Sequence, residues 1–139
     1  QGMRAHPTAA RVAELDVGTL AKRRFSRSKA EYLIGAARAV VAGDIDPETL
    51  GDGSALSAER TLTKIRGIGT WTARYMLMRG AGFADCAPTG DVALAAALQK
   101  LKGADARPGP RAVEELMRPF APHRSLATCH LWASLRDAA

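Results

Sequence analysis

Aromatic residues are scarce: Trp, Tyr and Phe make up only 5% of the 139 residues. Hydrophobic residues are 47% of the chain, so its core must be built mostly from Ala, Leu, Val, Ile and Met, the residues of closely packed helices. Cysteine is rarer still. Cys86 and Cys129 are the two in the chain, and their separation matches no paired metal-ligand spacing. So few thiols argue against a disulfide scaffold and fit a reducing compartment. No apolar run approaches the length of a membrane span and no signal-peptide pattern opens the chain, so a bacterial-type cytosol, at the nucleoid, is expected. Negative charge is also in short supply. Twenty basic residues face fourteen acidic ones, a net charge of +6, and such a surplus suits a polyanionic partner, nucleic acid first.

What is present reads as helix after helix, with neither strand alternation nor a solenoid period. The fold class expected is all-α in a single domain over 1–139. Pro7-Thr8 opens a short segment through Leu15 and Leu20. Ser28-Lys29-Ala30-Glu31 has the capping-box form, with a helix to about Ala42 that is closed by Gly43. Its apolar stripe includes Tyr32, Leu33, Ala36, Ala37, Val40 and Val41. Asp46-Pro47 starts a short turn, and further helices are expected over 57–65, 70–79, 91–101, 110–120 and 124–136.

The stretch Leu62 to Ala73 carries the first chemical signal. Two helices are joined by Gly67-Ile68-Gly69. Glycines permit a tight turn and leave the backbone bare, and N–H groups at the start of the next helix form a ready phosphate site. Ile68 can fold inward and pin the helices together. Arg60, Lys64, Arg66, Arg74 and Arg79 surround the turn, and no acidic residue occurs between Arg60 and Ala84. Backbone contact with DNA is therefore expected from Arg66, Gly67, Ile68, Gly69, Thr70 and Arg74. Taken alone, Gly-x-Gly also fits an ordinary helical hairpin. The Lys22-Arg23-Arg24 run reads first as a solvated face and second as a further DNA contact.

Ile65 to Ala73 resembles the helix-hairpin-helix of the base-excision DNA glycosylase superfamily. The loop Ala87-Pro88-Thr89-Gly90-Asp91 resembles its Gly/Pro-rich loop ending in the catalytic Asp. Phe120 to Trp132 is similar to the last helix of the 3-methyladenine glycosylase II branch. The resemblance covers the chain from about Pro7 to Trp132. It implies a helical glycosylase domain, with the helix-hairpin-helix near 57–80, and Asp91 as the catalytic carboxylate. An Asp at that place in a sequence is also an ordinary helix N-cap. The roles are compatible, because the helix dipole favours a carboxylate there and a carboxylate beside the anomeric carbon stabilises the charge that builds on the sugar.

In lyase members of the superfamily the position of Trp71 holds a lysine, so the resemblance implies a monofunctional enzyme that uses water. Trp71, Tyr75 and Trp132 match aromatic pocket positions of the same branch, and aromatic faces suit a cationic alkylated purine flipped from double-stranded DNA. Core packing is the plainer role for such side chains. The implied function is excision of alkylated purines such as 3-methyladenine by a monomer, with no cofactor and no metal. The four-cysteine iron–sulfur loop of some relatives is ruled out by cysteine count. His6, His123 and His130 have no ligand partners at suitable spacing. Two rival readings are a non-catalytic helix-hairpin-helix module that only holds DNA and a helical domain that binds protein. The chain opens at Gln1-Gly2-Met3 without a recognisable base-flipping wedge, opening helices or β-rich N-terminal domain. A C-terminal portion of a longer protein, with weakened activity in isolation, is therefore expected.

Overall fold

The computed structural model describes residues 5–136. The opening residues 1–4, where the chain's abrupt start was noted, lie outside that range. Among the described residues eight α-helices follow one another: α1 (Ala9–Ala13), α2 (Val17–Ala21), α3 (Arg27–Ala42), α4 (Ala55–Thr63), α5 (Thr70–Arg79), α6 (Val92–Lys102), α7 (Pro110–Met117) and α8 (Arg124–Arg136). A single 3₁₀ turn, Arg118–Phe120, extends α7. Among the described residues there is no strand, in keeping with the all-α expectation.

Local chemistry explains most helix ends, and it corrects three boundaries. The cap of α3 is Ser26, whose hydroxyl accepts from the Lys29 N–H, and not Ser28, which lies within the helix. Glu31 pairs with Arg27 one turn back instead of returning to the cap. Ser54 caps α4, so that helix starts two residues before the expected Ser57 and ends at Thr63. Pro119 has no N–H to continue the α-helical ladder, and the expected helix over 110–120 tightens into the 3₁₀ turn. Gly43, at φ +81°, closes α3 in the left-handed region.

Two apolar clusters build most of the core. One gathers Ala58, Leu62, Ile68, Ala73 and Leu77 from α4, the hairpin and α5. The other gathers Leu94, Leu98, Val113, Met117 and Leu131 from α6, α7 and α8. Trp132 packs against both. Leu62, Leu77, Leu94, Leu98 and Met117 are fully buried, and each such side chain contributes roughly 1.5–3 kcal/mol relative to exposure. A third, smaller cluster of Leu20, Ala30 and Ile34 seats α2 on α3. Ser125 ties α8 to the loop before α6: its hydroxyl accepts from the Cys86 N–H at 3.1 Å, and its N–H donates to the Ala84 carbonyl at 2.9 Å.

Candidate active site and nucleic-acid interface

The turn between α4 and α5 assigns different duties to its three residues. Gly67 adopts φ +93°, and a Cβ there would stand 2.1 Å from Cγ of Tyr32 on α3. Glycine is thus required twice over, by conformation and by the aromatic ring lying against its backbone. Gly69 is extended, at φ −85° and ψ 174°, with no neighbour within 4 Å of where its Cβ would be. It is the N-cap of α5, and no side chain caps that helix. The first N–H groups of a ten-residue helix therefore face outward over bare backbone. Ile68 is buried in the cluster that holds Leu62 and Ala73, folded inward between the two helices as expected. Arg66, Thr70, Arg60, Lys64 and Arg79 are exposed. The Arg66 guanidinium lies 6.0 Å from the Tyr32 ring centroid.

Arg74 departs from expectation. Its side chain is about three-quarters buried, and its guanidinium bonds within the protein. Nε donates to Glu59 at 3.0 Å, and Nη1 donates to Thr89 Oγ1 at 2.9 Å and to Glu114 at 2.9 Å. Arg124 continues the network, donating to Asp85 at 2.6 and 2.8 Å and to Glu114 at 3.3 Å. Burial works against the charge of Arg74, but its bonds to Glu59 and Glu114 outweigh that and raise its pKa. Hydrogen bonds from Arg124 hold the Asp85 carboxyl below its ordinary range. Nε and Nη1 of Arg74, a residue expected at the DNA backbone, are thus engaged inside the protein. The acid-free window in sequence missed Glu59 and Glu114, which the fold brings in from 15 residues before and 40 residues after Arg74.

Asp91 is the N-cap of α6. Oδ1 accepts from the Leu94 N–H at 2.7 Å and from Trp132 Nε1 at 2.9 Å, and Oδ2 accepts from Trp71 Nε1 at 3.0 Å. The preceding loop is itself fixed: Thr89 N–H donates to Ala87 O at 2.9 Å, and Asp91 N–H donates to Pro88 O at 2.8 Å. Cys86 through Thr89 are buried. The chain's two tryptophans, 61 positions apart, thus converge on one carboxylate. Tyr75 lies between them, stacked on Trp71 at 5.5 Å between centroids and tilted against Trp132 at 6.0 Å. Trp71 and Tyr75 remain about two-fifths exposed, which leaves aromatic surface beside the carboxylate.

The structure thus brings together Asp91, Trp71, Tyr75 and Trp132, and sets the Gly67–Gly69 turn at the head of the helix that bears two of them. Sequence reasoning noticed Tyr32 only as part of an apolar stripe and gave it no role at the hairpin. Its place against Gly67 has no signal in spacing, because 35 residues separate them. Among the described residues no group of His, Cys, Asp and Glu could hold a metal ion, and no helix is long and apolar enough to cross a membrane. An apolar cavity of about 810 Å³, lined by Leu101, Phe120, Leu126 and Leu131 among others, is separate from the site and touches none of its four residues.

Comparison with known proteins places the chain in a family. A DNA-3-methyladenine glycosylase of Bacillus subtilis is 36% identical over 129 residues, 93% of this chain and 43% of that protein. The solved structure of the Schizosaccharomyces pombe 3-methyladenine DNA glycosylase Mag1 in complex with abasic DNA superposes with a TM-score of 0.85 at 27% identity, covering 91% of this chain and 62% of that one. A DNA-3-methyladenine glycosidase from Bacillus halodurans gives 0.78 at 27% identity, over 94% and 60%. The chain therefore spans less than two thirds of each of these relatives. Residues 2–122 match the HhH-GPD superfamily of base excision DNA repair proteins, and the chain belongs to that superfamily.

Proposed function

We propose that this chain carries the catalytic helices of a monofunctional DNA glycosylase that excises cationic alkylated purines, such as 3-methyladenine, from double-stranded DNA during base excision repair. One observation carries the reading: the Asp91 carboxylate held by the indoles of both tryptophans, within the Trp71–Tyr75–Trp132 aromatic group. Breaking the N-glycosidic bond leaves positive charge on the sugar, and a carboxylate locked in place before the reaction stabilises that charge without reorganising. Oδ1 already serves two donors and Oδ2 one, so Oδ2 keeps acceptor capacity for the anomeric centre or the attacking water. The departing base is positively charged, which makes it a good leaving group that needs no strong general acid. Aromatic faces attract the same cation. Trp71 stands where an amine nucleophile would be required for lyase chemistry, so water is the acceptor of the sugar. The Gly67–Gly69 turn, with Arg66 and Thr70 beside it, holds one strand by its phosphates and reads no sequence. The relatives named above support the substrate class.

The test is single-turnover release of 3-methyladenine and 7-methylguanine from methylated duplex, for this chain and for a version extended upstream. Asp91→Asn should abolish nearly all release and leave DNA affinity equal or higher, since one negative charge near phosphates is removed. Near-normal release with Asn at this position would reduce Asp91 to a helix cap. DNA binding with no release by any version would leave a binding module.

A further inference from the structure

Resting on the reading of Asp91 just given, we infer that Arg74 and Thr89 form a positioning clamp for the catalytic carboxylate. Helix α5 reaches the Ala87–Asp91 loop at two points. Trp71 holds the loop's carboxylate directly. Arg74, one turn further along, holds the loop by donating to the Thr89 side-chain hydroxyl at 2.9 Å and, more weakly, to the Ala87 backbone carbonyl at 3.5 Å. Both contacts refer the loop to one rigid helix, with anchors about 4.5 Å apart along its axis.

The contacts to Thr89 and Ala87 do not serve to neutralise charge. Glu59 and Glu114 already do that for Arg74, from α4 and α7. A neutral hydroxyl and a carbonyl add directional restraint instead, and Thr89 is buried two residues before Asp91. Pro88, between these contacts, is fully buried, so the segment has no freedom to drift towards solvent. The clamp also joins the catalytic loop to α4 and, through Glu114, to Arg124 and Asp85. Helices on both sides of the site thus set one carboxylate. A lysine at position 74 would keep the charge, but its single ammonium could not span Glu59, Glu114 and Thr89 in the fixed fork of a guanidinium.

The two indole N–H groups report the position of Asp91 whether or not the chain turns over substrate. In ¹⁵N-labelled protein they give one resonance each. Thr89→Val removes only the hydroxyl arm of the clamp and leaves both Arg74–Glu pairs, Arg74→Lys removes the fork, and Thr89→Ser restores the hydroxyl. Thr89→Val and Arg74→Lys should shift both indole signals towards those of Asp91→Asn and speed their hydrogen exchange several-fold, while Thr89→Ser should return both to wild type. Glu115→Gln, which breaks only the exposed pair with Arg118, should leave them unmoved. In an active extended chain, Thr89→Val should lower single-turnover release about tenfold or more, as displacement of a reacting group does, with duplex affinity within about twofold. Folded Thr89→Val or Arg74→Lys protein with wild-type indole signals would overturn the clamp, and so would failure of Thr89→Ser to restore them. Full release by Asp91→Asn would defeat the reading of Asp91 instead, and the indole signals would still decide whether Arg74 and Thr89 set its position.

Discussion

Adding one methyl group to each hairpin glycine should separate folding from DNA binding. In Gly67→Ala the new Cβ meets the Tyr32 ring at 2.1 Å and must also accept φ +93°. Steric overpacking costs about 1–3 kcal/mol, and the unfavourable backbone about 1–2 kcal/mol more, so a loss of roughly 2–5 kcal/mol is expected. At roughly 4 °C per kcal/mol for a chain of this size, the melting temperature should fall by about 8–20 °C. Tyr32→Ala in the same chain removes the clash but not the φ penalty, so the double variant should lose less than the sum of the singles. Gly69→Ala meets open space at an ordinary φ of −85°. Its loss of unfolded-state entropy is worth about 0.4–1 kcal/mol and is offset by the poorer N-cap that Ala makes. Melting should therefore stay within about 4 °C of wild type. On the proposed phosphate-binding role of this turn, the methyl group would crowd the face that a phosphate approaches, and one charge-assisted hydrogen bond is worth about 1.5–3 kcal/mol. Duplex affinity should fall about tenfold or more, equally for all sequences, with little change in the slope of log affinity on log salt, because a neutral amide donor displaces no counterion by its own charge. Melts followed by circular dichroism, with anisotropy titrations at several salt concentrations, measure both quantities. Equal melting temperatures for the two variants, or a Gly69→Ala chain that binds duplex as wild type does, would refute the division of duties in this turn.

Two further outcomes are expected. Trp132→Phe keeps a ring beside Tyr75 but deletes the indole donor to Asp91; loss of a hydrogen bond to a charged group costs about 1.5–3 kcal/mol, so single-turnover release from methylated DNA should drop at least tenfold while far-ultraviolet dichroism is unchanged. The Asp85 carboxyl titrates below its ordinary value in the folded chain because of its bonds from Arg124, so its stabilising contribution is present above pH about 4 and fades as pH falls through the folded value. The melting-temperature gap between wild type and Asp85→Asn should be full at neutral pH and close on acidification; a gap that widens towards low pH would contradict that assignment.

Periodicity, capping residues and glycine punctuation were enough to read the helices, because these signals act over three or four residues. Thr70–Arg79 and Arg124–Arg136 emerge at their expected limits. The errors arise where neighbours compete locally: Ser26 won the cap of α3 over Ser28, and Pro119 tightened the end of α7. Asp91 and the aromatic set were legible through their place in three ordered motifs. The sequence by itself determined the all-α character, the uncapped Gly-rich turn and the presence of a carboxylate at a helix head. Tertiary structure alone decided that both indoles bind that carboxylate, that Tyr32 backs Gly67 and that Arg74 turns inward to Glu59, Glu114 and Thr89. The reason is range: a cap or a helical stripe depends on adjacent residues, whereas the fate of an arginine depends on which acids the packed helices deliver from 15 and 40 positions away.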